Sequence, residues 1–146
     1  MTVTIRQGLA TRRVGVEVLR GLTAAGVLLS ADIHLELWVT GFRDISVIGP
    51  LFLLNAIGGL VIAVVMLAWR HWLPAFAAAG FGAATLVAFL LSMTGGGLLG
   101  VHETLAGTPQ RLAFAAEIVA LVCGLALTAV EFRRWWSVRS GAGTRG

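Results

Sequence analysis

Long stretches with no charged side chain constrain this chain more than any other feature. No Asp, Glu, Lys or Arg occurs between Asp44 and Arg70, from His71 through His102, or from Ile118 to Val130. Crossing the ~30 Å hydrocarbon core of a bilayer takes about 20 apolar residues as a helix, and two of these gaps are longer than that. Soluble domains average about 25% charged residues. This chain of 146 residues has 12% charged and 58% hydrophobic. An ordinary soluble domain, a disordered chain and a collagen-like chain are thereby excluded.

The spacing predicts four spans, at about 18–38, 50–69, 73–93 and 111–131. Pro50 and Pro74 suit first helical turns, where a missing N–H costs nothing. Gly95, Gly96 and Gly97 are costly inside a helix and predict the end of the third span. The piece 98–103 then reads as a short return or a tilted extension. The outer spans are less clean. The first has only eleven uncharged residues, 21–31, before Asp32, and the fourth contains Glu117. Trp38, Trp69, Trp72, Trp135 and Trp136 fall at span ends, as interfacial aromatic belts do. The expected fold class is all-α, a polytopic transmembrane four-helix bundle.

All eleven basic residues are Arg. Nine (Arg6, Arg12, Arg13, Arg20, Arg70, Arg133, Arg134, Arg139 and Arg145) fall on one side of the predicted membrane, and only Arg43 and Arg111 on the other. The positive-inside rule then places both termini in the cytoplasm of a multi-pass plasma-membrane protein. Residues 1–17 read as a basic amphipathic N-terminus facing anionic lipid, and 133–146 as a basic disordered tail. Arginines before an apolar run ending at Ser30–Ala31 also fit a secretory signal, which would leave three spans. Arginines flanking apolar runs point to membrane lipid as partner rather than nucleic acid. One Cys, Cys123, forbids an internal disulfide and reads as a small buried hydrophobe.

Small residues four apart let membrane helices approach closely. Gly26 and Ser30, Gly59 and Ala63, Gly80 and Ala84, and the stripe Ala116, Ala120, Gly124, Thr128 predict a tight up-down-up-down bundle.

The polar residues inside these spans gather in the outer half: Asp32, His34 and Glu36 on the first, Asn55 on the second, Ser92 and Thr94 on the third, His102 and Glu103 just beyond it, and Glu117 on the fourth. Intramembrane ionisable groups face the bundle or a watery cavity. Asp32 and Glu36 share a helix face, while His34 points about 160° away. Several readings stay open. The carboxylates can lie at headgroup level, with Glu36 pairing Arg43 and Glu103 pairing Arg111. His34, His102, Asp32, Glu36 and Glu117 can supply transition-metal ligands, or His34 and His102 the axial ligands of a haem, with Asn55, Ser92 and Glu103 in support. Glu117, hydrogen-bonded to Asn55 or Ser92, can relay protons or ions through an oligomer. No HExxH, Glu-xx-His pair, CxxC, nucleotide loop or Ser–His–acid order is present, so an enzyme is not the first expectation, although His102–Glu103 leaves lipid modification open.

The segments 41–55 (GFRDISVIGPLFLLN), 31–34 (ADIH) and 100–109 (GVHETLAGTP) give the chain a further likeness. Over about residues 20–132 it resembles uncharacterised small four-span integral membrane proteins of high-GC actinobacteria. The resemblance implies four spans and a plasma-membrane home, and no activity. The leading expectation is a small non-enzymatic subunit or accessory protein of a larger membrane complex or homo-oligomer. A haem- or metal-binding redox protein and a proton or ion pathway are the alternatives.

Overall fold

The computed structural model describes residues 2–142, with side chains described from Arg13 to Gly141. Four helices follow one another: α1 (Thr2–Leu37), α2 (Ile48–Ala68), α3 (Trp72–Ser92) and α4 (Thr108–Ala142). A π-helical turn, Trp38–Phe42, extends α1. All four are long and apolar enough to cross a membrane, over Arg13–Phe42, Ile48–Ala68, Trp72–Ser92 and Thr108–Gly141. The chain is an all-α, multi-pass membrane bundle, with no strand pairing among the described residues beyond an isolated bridge, Leu98 to Val101.

Local chemistry sets the ends of α2 and α3. Pro50 and Pro74 each fall in a first turn. His71 caps α3, its Nδ1 accepting the Leu73 N–H at 3.2 Å. Trp69 and His71 are both extended, which makes the α2–α3 turn abrupt. After α3 the chain forms a tight hairpin rather than a tilted extension. Leu98 and Val101 exchange two backbone hydrogen bonds of 2.9 Å. Leu99 (φ 50°) and Gly100 (φ 83°) between them take the positive angles of a two-residue hairpin turn. Glu103 N–H then donates to the Ser92 carbonyl at 3.3 Å, folding the loop back over the end of the bundle.

The long helices depart from expectation at their polar ends. Residues 133–142 continue α4 instead of forming a disordered tail, and 2–17 continue into the first span as one helix. Apolarity marks where a helix leaves the bilayer, not where it stops. Residues 143–146, with Arg145, lie outside the described residues.

The core is built from small side chains. Ala24, Ala63, Ala75, Ala78 and Ala120 are buried around Val27, Met66 and Leu127. Leu54, Ile57, Val61, Val64 and Leu67 of α2 point outward instead. That inversion suits a lipid solvent, which gives large apolar groups no reason to hide and rewards close backbone contact. Helix α4 packs against both α1 and α3. A Cβ on Gly26 would lie 2.8 Å from the Ala116 carbonyl oxygen, and one on Gly124 3.0 Å from Ala79 N. Gly59 similarly faces Ala31 on α1. Gly80 does not join this scheme: it is exposed, with open space where a side chain would go. Cys123 is only half-buried.

Candidate functional site

The helices converge five of the eight candidate residues on one cavity. It has a volume of about 130 Å³ and lies toward the end of the bundle that carries the 93–107 loop, whose Leu98, Val101 and Glu103 line it. His34, Asn55, Ser92, Glu103 and Glu117 line it, joined by Thr85. Glu117 belongs to the face Ala113, Ala116, Glu117, Ala120, whose one-turn spacing buries it, and it is 2% exposed. Nine residues separate it from the start of α4, a depth of about 13 Å.

Its carboxylate is thinly supported for such a position. Ser30 Oγ donates to Oε1 at 3.3 Å, and Oε2 has no partner. Ser30 and Thr85, rather than Asn55 or Ser92, are thus the groups that reach Glu117. His34 Nδ1 donates to the Ser30 carbonyl at 2.8 Å. Its ring lies 5.0 Å from that of Phe52, which itself stacks on Phe42 at 4.7 Å. Asn55 Oδ1 is buried without a partner. The Ser92 hydroxyl is spent locally on the Phe89 carbonyl at 2.6 Å. Glu103 accepts from Gln110 Nε2 at 3.3 Å. A carboxylate, an amide and an imidazole thus line one largely apolar cavity, beside Thr85, Ser92 and Glu103, with hydrogen-bonding capacity left over.

The other three candidates lie elsewhere. Asp32 and Glu36 are exposed on the opposite face of α1, as the angular offset from His34 requires. His102 is exposed in the hairpin loop, against Gly97. The interfacial pairs also differ from expectation. Arg43 pairs with its neighbour Asp44 at 3.6 Å, not with Glu36. Arg111 donates to the Leu105 and Ala106 carbonyls, at 2.8 and 3.1 Å, not to Glu103. Among the described residues, no three His, Cys, Asp or Glu side chains are grouped so as to hold a metal ion. The metal set is divided by the two faces of α1, and His34 faces inward while the proposed second haem ligand, His102, is out in the loop.

A second polar centre, at the end carrying the termini, is one that sequence patterning did not single out. Arg20, 4% exposed, pairs with Glu131, 8% exposed, and donates to the Met66 carbonyl at 2.7 Å. It therefore ties α1 to both α4 and α2. Glu17 lies 3.8 Å from Arg20 and 3.3 Å from Arg70, extending the network to the α2–α3 turn. A signal was present in the spacing. Fourteen residues separate Arg20 from His34, and fourteen separate Glu117 from Glu131. That is close to four helical turns, so antiparallel helices in contact at one pair are in contact at the other.

The fold and its two polar centres define a polytopic four-helix membrane protein. No protein-family model, curated protein or solved structure matches the chain.

Proposed function

We propose that the chain is a non-enzymatic subunit of a larger membrane complex, with its Arg-rich end cytoplasmic, and that it receives a partner's transmembrane helix on the outer face of α1 and α2. One observation carries this reading. Asp32 is exposed in a shallow apolar groove with Leu28, Leu35, Ala56, Ile57 and Leu60. Ala56, which shares the groove, lies eight residues into α2, so Asp32 is about 12 Å from the end of that helix, and in the proposed arrangement it lies inside the hydrocarbon rather than at headgroup level. Its carboxylate makes no hydrogen bond or ion pair among the described residues.

A lone carboxylate at such a depth costs about 3 kcal/mol on insertion scales, and a cationic or donor group on a neighbouring helix offsets that cost. A second copy of this chain offers no arginine at the same level, and its histidine there, His34, faces the cavity inside its own bundle. Arg13, Arg20, Arg70, Arg133, Arg134 and Arg139 belong to one end of the bundle, and Arg43 and Arg111 to the other. Charge complementarity therefore favours a different protein, whose helix brings Arg, Lys or His to the level of Asp32. Residence in the plasma membrane agrees with the likeness to small actinobacterial four-span proteins.

Purification in mild detergent from the native membrane is expected to recover a stoichiometric transmembrane partner. Asp32→Leu is expected to weaken its retention by about 30-fold or more, as truncating one member of a buried charge pair does. Retention unchanged by Asp32→Leu, or recovery of a homo-oligomer alone, counts against the reading.

The unpartnered Glu117 Oε2 and Asn55 Oδ1 support a second reading, proton or ion passage by way of Glu117, Ser30 and His34. Proteoliposomes holding a pH-sensitive dye test it. Wild-type vesicles are expected to dissipate an imposed gradient, and Glu117→Gln vesicles to hold it as long as protein-free ones. Wild-type vesicles that hold the gradient equally well would rule this reading out.

A further inference from the structure

We propose that the cleft at the Arg-rich end of the bundle binds the phosphate of an anionic phospholipid headgroup. The cleft measures about 760 Å³. It exists because two helices overrun the bilayer: α4 continues eleven residues past Glu131, about 16 Å, and α1 carries Arg13 about two turns beyond Arg20. The turn at Arg70 and His71 closes the space between them, and the buried Arg20–Glu131 pair forms its floor.

The charge balance in the cleft selects an anion. Five guanidiniums line it, from Arg13, Arg20, Arg70, Arg134 and Arg139, against two carboxylates. Both carboxylates are engaged, Glu131 by Arg20, and Glu17 by Arg20 and Arg70. Arg13 and Arg134 have no carboxylate partner among the described residues, and Arg139 lies over the Trp135 ring at 4.6 Å. The positive-inside bias asks only that arginines be on this side of the membrane. Here they face one another across a cavity. The indole Nε1 of Trp72, which also lines the cleft, is a buried donor without a partner. Forked guanidiniums beside an unpartnered N–H donor suit the tetrahedral oxygens of a phosphate.

A lipid source suits the surroundings better than a soluble one. Trp69, Trp72, Trp135 and Trp136 place the mouth at the level of an interfacial aromatic belt. Beside it, exposed Phe132 and Trp136 form an apolar track along α4, where an acyl chain can lie.

The test uses the full-length protein in a zwitterionic detergent and follows its tryptophan fluorescence, since four of its five tryptophans are at this end. Short-chain phosphatidylglycerol is expected to give a saturable change at one equivalent. Phosphatidylcholine is expected to bind at least about tenfold more weakly, and inorganic phosphate to leave the signal unchanged at millimolar concentration. Arg13→Gln with Arg134→Gln is expected to weaken phosphatidylglycerol by about tenfold or more. Trp72→Phe, which removes the N–H together with part of the ring, is expected to weaken it by about fivefold. Arg43→Gln with Arg111→Gln removes the same charge from the other end and is expected to change nothing. Equal binding of both lipids, or equal loss in the two double variants, overturns the site. Saturation by inorganic phosphate overturns its assignment to lipid.

Discussion

Arg20→Ala is expected to destabilise the bundle by about 3–5 kcal/mol, because it strips a buried carboxylate of its counter-ion. Arg20 and Glu131 are both buried, and the guanidinium also holds the Met66 carbonyl at the end of α2. Removing it leaves Glu131 with one oxygen newly bare and the other already without a partner. Glu131→Ala is expected to cost less. Arg20 keeps the Met66 carbonyl and gains freedom to approach Glu17, now 3.8 Å away. Arg20→Met with Glu131→Leu is expected to recover most of the loss, since two packed apolar groups need no partner and the desolvation of both ions disappears. Thermal or denaturant unfolding of the detergent-solubilised protein ranks the three variants. A double variant as unstable as Arg20→Ala would show that the ion pair does more than satisfy itself, and would return the weight to the Met66 contact.

The fold is legible in the amino-acid pattern to the extent that lipid writes simple rules. Helices α2 and α3 begin within two residues of their predicted starts, because proline, a charged turn and an apolar run all change at the same places. The ends of α1 and α4 are not legible by that criterion. Residues 2–17 and 133–142 are polar enough to leave the bilayer, yet contain no proline to end a helix. The candidate cavity is half legible. Helical periodicity alone separates His34 from Asp32 and Glu36. It does not show that the 98–101 hairpin carries Glu103 back over the cavity while His102 stays exposed. That outcome depends on a two-residue turn in which Leu99, not glycine, takes one of the positive angles. The Arg20–Glu131 pair is hidden for a different reason. Charges that flank spans satisfy the positive-inside rule without partners, so nothing requires them to be matched across helices. The depth of Asp32 follows from the α1–α2 register, which neither span reveals alone.

Gly82→Val is expected to disturb the α3–α4 interface strongly from a position that bears no charge. A Cβ at Gly82 would lie 2.7 Å from the Glu117 carbonyl oxygen and 2.9 Å from Leu121 N. Both are backbone atoms of α4 and have no rotamer through which to yield. A branched side chain must push α3 and α4 apart along one of the main interfaces of the fold. Overpacking typically costs about 1–3 kcal/mol, and lost contacts between close backbones add to it, so a loss of about 3 kcal/mol is expected. Gly80→Val is the control. Gly80 faces open space two residues away, and its substitution is expected to be neutral or to stabilise by about 0.4 kcal/mol through helix propensity. Unfolding of the two variants in mixed detergent measures the difference. The same displacement moves Glu117, whose carbonyl is the contact, and with it the carboxylate that Ser30 holds in the cavity. Gly82→Val is therefore expected to lose any proton passage that wild type shows, and Gly80→Val to keep it. Equal stability of the two variants would mean that α3 and α4 can separate freely. The cavity would then have no fixed wall on which to hold Glu117.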